Sequence, residues 1–145
     1  MNTKFHLAFP VRDLELTKIF YVNILGCSLG RESSKWVDFN LFGHQIVAHY
    51  SPQDCIALNN NLVDGDKIPS RHFGVILNWD IWENLIKSIK KKDISFYIKP
   101  KIRFKNKKGE QGTFFILDPS DNVLEFKSFK NDSMVFERQI EEWLK

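Results

Sequence analysis

The order strand-helix-strand-strand-strand occurs twice along this chain, and each copy opens on a histidine followed by the same pattern of sizes. His6-Leu7-Ala8-Phe9 and His72-Phe73-Gly74-Val75 both run bulky, small, bulky after the histidine. A duplicated order within 145 residues restricts the fold to two similar modules. Each must build a sheet that packs one face on its own helix and turns the other away.

In the first copy Phe5 to Val11 alternates as a strand, with Leu7, Phe9 and Val11 on one face and His6, Ala8 and Pro10 on the other. Asp13 is placed to cap a helix whose apolar residues, Leu16, Ile19, Phe20 and Ile24, recur at helical spacing until Gly26. Strands follow over 28–32, 36–42 and 45–50, the last two joined by a tight turn at Gly43-His44. Residues 52–70 carry Pro52, three asparagines, Asp64-Gly65-Asp66 and Pro69, the composition of a connector anchored at Ile56 and Leu58. The second copy starts with a strand over 72–78. Asp80 and Glu83 are spaced as a capping-box variant ahead of Trp82, Leu85, Ile86 and Ile89. A strand is expected near 96–98, continuing or restarting around 102–104, then strands over 112–117 and 123–129, with Asp118-Pro119-Ser120-Asp121-Asn122 as the turn between the last two. Phe136, Ile140, Trp143 and Leu144 fall at helical spacing and predict an added helix over 133–145. One domain results: module one over 4–51, connector over 52–70, module two over 71–129, then the helix.

Composition narrows the class. Hydrophobic residues make up 43% and charged residues 27%, the balance of an ordinary globular domain. No apolar run reaches membrane-spanning length, no signal peptide precedes the first strand, and two cysteines make no disulfide framework. A cytoplasmic protein is the simplest expectation. Lysines cluster at 87, 90, 91 and 92, and basic residues again at 99, 101, 103, 105, 107 and 108, but without an aromatic-interleaved motif or recognition helix. They read as solvated surface, and no nucleic-acid or membrane partner is expected.

The chemistry lies on the sheet faces turned away from the helices. His6, His72 and Glu125 alternate with the helix-side residues Leu7, Phe9, Phe73, Val75, Leu124 and Phe126. If the two sheets curve towards each other, the three side chains converge in one cup. Two imidazoles and a carboxylate hold a divalent metal and leave coordination positions open.

The segments Phe5 to Val11, Phe20 to Gly26, Phe39 to Gln45, Arg71 to Val75 and Phe114 to Phe126 together resemble the vicinal oxygen chelate superfamily. That group includes glyoxalase I, extradiol dioxygenases, and fosfomycin and bleomycin resistance proteins. The resemblance covers residues 4–129, and the run Asp118-Pro119-Ser120-Asp121-Asn122-Val123-Leu124-Glu125 is its most specific piece. It implies an α+β fold, two βαβββ modules forming an incomplete mixed β-barrel around a metal. His6, His72 and Glu125 match the family's ligand positions. A fourth position, a glutamate in glyoxalases, aligns with Val47, which cannot bind metal. The expectation is therefore a three-ligand centre favouring Fe(II), with Mn(II), Zn(II) or Ni(II) as alternatives. It would serve extradiol-type dioxygenase chemistry ahead of glyoxalase-type lyase or isomerase chemistry. A drug-sequestering resistance protein without metal is the non-enzyme alternative.

Three further residues are candidates. His49 shares the face of Val47 and reads as a fourth ligand if the register differs, as an acid/base group, or as a plain strand-end histidine. Tyr97 and Arg103 either orient a phenolic or anionic substrate or belong to a polar barrel rim. The substrate expected is a small molecule that chelates metal through neighbouring oxygens, and the family implies a homodimer.

Overall fold

In a computed structural model of the chain, which describes residues 2–55, 60–63 and 66–145, the duplicated order becomes two four-stranded sheets. The strands are β1 (His6–Val11), β2 (Ser28–Glu32), β3 (Trp36–Leu41), β4 (His44–Tyr50), β5 (Asn60–Val63), β6 (Asp66–Pro69), β7 (Phe73–Leu77), β8 (Ile98–Arg103), β9 (Gln111–Leu117) and β10 (Val123–Phe129). The helices are α1 (Leu14–Lys18), continued as a π-helix over Ile19–Ile24, α2 (Trp79–Lys91) and α3 (Ile140–Trp143). The sheets are ordered β1-β4-β3-β2 and β7-β10-β9-β8, the same topology used twice. In each the module's first and last strands run parallel. The chain divides into one compact unit made of the residues up to Ser70 with Leu117–Asn122, and a second made of Arg71–Ile116 with Val123–Lys145.

In the first unit Asp13 caps α1 as expected, accepting from Leu16 N–H at 2.9 Å. The buried face is only partly the expected one, Phe20 being common to both. Thr17, Phe20, Tyr21 and Leu25 point inward, while Leu16 and Ile19 are 51% and 53% exposed. The π turn shifts the register: Leu25 N–H bonds back five residues to Phe20 O. Tyr21 then stacks on Phe39 at 5.0 Å and donates its hydroxyl to Asp118 at 2.9 Å. The β3–β4 turn is Phe42-Gly43 rather than Gly43-His44. Both turn residues have positive φ, 51° and 92°, and Leu41 pairs with His44. That is the left-handed geometry a two-residue hairpin requires. The Asp118–Asn122 turn also belongs to this unit, its Asp118 Oδ1 accepting from the N–H groups of Ser120 and Asn122.

The expected connector contains a hairpin, β5 paired antiparallel with β6. The anchors Ile56 and Leu58 lie outside the described residues.

In the second unit α2 buries Trp82, Leu85, Ile86 and Ile89, the stripe read from the sequence. It starts two residues earlier than the capping box implied. Asn78 occupies the cap, and Glu83 accepts instead from the Trp79 indole at 2.9 Å. Trp82 lies over Gly112, where an added Cβ would come within 2.4 Å of its ring, and donates to Phe126 O at 2.9 Å. The two expected segments around Phe96–Phe104 form the single strand β8, with a register shift between Ile98 and Lys101. Of the helix expected over 133–145, only Ile140–Trp143 is α-helical, preceded by a 3-10 turn over Asp132–Met134. Trp143 packs on Phe104, its backbone tied to Gly109, while Phe136 stands 92% exposed.

Candidate metal centre

In the second unit β7 and β10 bring His72 and Glu125 together, Nε2 to Oε1 at 3.2 Å. The register sets Glu125 against Gly74. A Cβ at residue 74 would fall 1.6 Å from Glu125 O, so only glycine allows the two strands to meet there. Thr113 Oγ1 donates to Glu125 Oε2 at 2.6 Å, and the Phe115 ring meets the His72 imidazole edge-on at 5.3 Å. Burial pushes the Glu125 carboxyl up. The bonds from His72 and Thr113, with the nearby charge of Lys127, outweigh that and hold it below the usual range. The carboxylate is therefore ionised at neutral pH.

In the first unit His6 Nδ1 lies 2.8 Å from Gln45 Oε1. The register sets Ala8 opposite Val47 as Gly74 stands opposite Glu125. Since Ala8 and Gly74 each lie two residues beyond their histidine, Val47 occupies the place of Glu125 in the repeat. Asp38 pairs directly with Val47 from β3 and is 5% exposed. Its Oδ2 accepts from Gln45 Nε2 and from Arg31 Nε, both at 3.2 Å.

His49 pairs with Pro10 and Trp36 on the face that carries Val47, and it is exposed. Arg103 pairs with Gln111 and Lys101 with Thr113, which puts both basic residues on the Glu125 face of their sheet. Tyr97 lies in a bend before β8, its N–H bonded to Phe115 O at 2.7 Å. His44 is held in the fold, accepting from Phe5 N–H at 3.0 Å.

Imidazole and carboxylate donors suit Fe(II), Mn(II) and Zn(II), and His72 and Glu125 present such a pair at the spacing of adjacent ligands. Among the described residues no three His, Cys, Asp or Glu side chains gather in a group that would hold a metal ion. The pair is the part of the expected ligand set that is brought together. Thr113, Gln45, Asp38 and Arg31 were not anticipated. Asp38 was open to detection as the lone charge between Val37 and Phe39 in an apolar strand. A separate open cleft of about 420 Å³ in the first unit, lined by Arg12, Leu14, Lys18, Glu32 and Tyr50 among others, includes none of the expected site residues. Its cations are already paired: Lys18 with Glu15 and Glu32, Arg12 with Asp121.

The same architecture is found in a solved structure of a glyoxalase/bleomycin resistance protein/dioxygenase from Alicyclobacillus acidocaldarius. It is 37% identical over 93% of this chain and 97% of that one, with a TM-score of 0.76. The chain belongs to this family, the vicinal oxygen chelate superfamily. Two more distant superfamily structures share its fold. The fosfomycin resistance protein FosX of Listeria monocytogenes is 16% identical over 93% of this chain and 99% of that one, with a TM-score of 0.66. A lactoylglutathione lyase of Agrobacterium tumefaciens is 13% identical over 90% and 96%, with a TM-score of 0.61. No family model and no curated protein sequence matches the chain. Among the described residues no helix is long and apolar enough to cross a membrane.

Proposed function

We propose that this superfamily member is a metal-dependent enzyme of the extradiol dioxygenase type, with His6, His72 and Glu125 as its ligands. The observation that carries the reading is the His72–Glu125 pair, braced by Thr113. Fe(II) is the favoured ion and Mn(II) its substitute, with Zn(II) and Ni(II) as further options. When bound, the ion supplies Lewis-acid activation and a template for two neighbouring substrate oxygens. Glu125 enters this role already ionised and held by two hydrogen bonds, so little ordering remains to be done on binding. His49 is the candidate to accept a proton from a substrate hydroxyl. Arg103, on the Glu125 face, favours a substrate with negative charge, and Tyr97 is assigned a subsidiary place beside a phenolic ring.

Val47 supports a three-ligand centre over the glyoxalase arrangement, because an isopropyl group offers no donor. The resistance-protein reading requires no metal, which separates it experimentally. Elemental analysis of protein purified without chelator is expected to find stoichiometric iron or manganese, and oxygen uptake is expected with catechols. Protein that takes up no added Fe(II) overturns the enzyme reading in favour of sequestration. Turnover of the hemithioacetal of methylglyoxal and glutathione instead moves the assignment to the glyoxalase branch. We also propose a homodimer, with the exposed apolar residues Phe136, Ile140 and Leu144 in its contact. Sedimentation should then show Phe136→Ser/Leu144→Ser as a monomer, and an unchanged mass discards this surface.

A further inference from the structure

We infer that Gln45, Asp38 and Arg31 are positioning residues that fix the His6 imidazole in its Nδ1–H tautomer, leaving the Nε2 lone pair as the ligand atom. This rests on the metal role proposed for His6. The argument is one of hydrogen-bond polarity. Asp38 pairs with exposed Arg31 and is a carboxylate, which only accepts. The Gln45 amide, 3.2 Å from Asp38 Oδ2, must therefore turn its NH2 group to the carboxylate and its carbonyl oxygen to His6. That oxygen, 2.8 Å from His6 Nδ1, only accepts, so the proton must sit on Nδ1. The polarity starts at Arg31, whose guanidinium lies 5.6 Å from the Trp36 ring centroid and donates to Asp38. Gly30 makes room for this: its missing Cβ would lie 3.0 Å from Asp38 Cβ. The second histidine is served differently, by direct contact with Glu125. The carboxylate absent at Val47 thus reappears one strand away, where it orients a ligand through an amide.

The test uses metal-free, 15N-labelled protein above the imidazole titration range, with His6 ring signals identified by their loss in His6→Ala. Wild type is expected to show Nδ1–H. Gln45→Leu, at a half-exposed position that tolerates the change, should revert to Nε2–H and weaken Mn(II) binding tenfold or more. Asp38→Asn should let the Gln45 amide turn over and do the same. Asp38→Asn/Gln45→Glu exchanges amide and carboxylate and should restore Nδ1–H. A wild-type His6 protonated on Nε2, or a tautomer unmoved in Gln45→Leu, overturns the inference. If the tautomers behave as expected while His6→Ala binds Mn(II) as tightly as wild type, the relay stands and the metal role of His6 falls.

Discussion

At the scale of single residues, the bulky-small-bulky pattern after each histidine holds a structural requirement. The small residue is the one paired with the repeat-related position of its module's last strand: Ala8 with Val47, Gly74 with Glu125. Its size was legible, whereas the reason for it, a strand-to-strand approach that leaves no room for a Cβ at residue 74, emerges only from the pairing. Gly74→Ala should therefore cost roughly 3 kcal/mol or more in urea unfolding, because β7 has to move away from Glu125. A loss below about 1 kcal/mol would mean the strands adjust freely. The Val47 departure was likewise visible, but its partner was not. Asp38 stands directly opposite, so a glutamate at residue 47 would bury a second negative charge beside the first. Val47→Glu is expected to lose roughly 3 kcal/mol by the same measurement, and Asp38→Asn in that background should recover part of it. If Val47→Glu proves as stable as wild type, the four-ligand arrangement was open to this chain and Asp38 does not bar it.

Elements were legible where periodicity alone decides them and obscure where local hydrogen bonding does. The α2 stripe over Trp82, Leu85, Ile86 and Ile89 follows from an unbroken 3.6-residue period. The first helix breaks that period by widening into a π turn, and a count of apolar positions selects Leu16 and Ile19 when Thr17 and Tyr21 are the inward residues. The same limit applies at the β8–β9 connection, whose lysines suggested only a solvated loop. There Glu110 accepts from Asn106 N–H at 2.9 Å and pairs with Lys130 at 3.3 Å. The bond from Asn106, with the charge of Lys130, holds its carboxyl below the usual range against the opposing effect of burial. A carboxylate with a depressed value stabilises the fold above its unfolded value, and that stabilisation is lost as pH falls through the folded one. Glu110→Ala should thus cost about 1 kcal/mol at neutral pH. The deficit should shrink on acidification below the ordinary glutamate range, as followed by denaturation at a series of pH values. A deficit that is constant with pH would assign the loss to packing.

At the scale of the whole molecule, the duplicated order predicted two sheets of one topology, because each module must bury one face of its own sheet on its own helix. The hairpin of β5 and β6 escaped, since Asn, Asp and Gly serve turns and short polar strands alike. The proposed ligands divide along the same line as the fold: His6 belongs to the first unit, His72 and Glu125 to the second. A ligand that binds only the folded protein raises its stability by mass action, so the three proposed ligands are tested by the stability that a bound ion adds. At a hundredfold excess over its dissociation constant, Mn(II) should add about 2.7 kcal/mol, which for a domain of this size raises Tm by roughly 5–10 °C. Excess chelator should reverse the shift. His6→Ala, His72→Ala and Glu125→Ala should each abolish it, and Val47→Ala, which removes no donor, should keep it. A shift that survives His6→Ala but not His72→Ala would confine the centre to the second unit, with Glu125 and Thr113 as its surroundings.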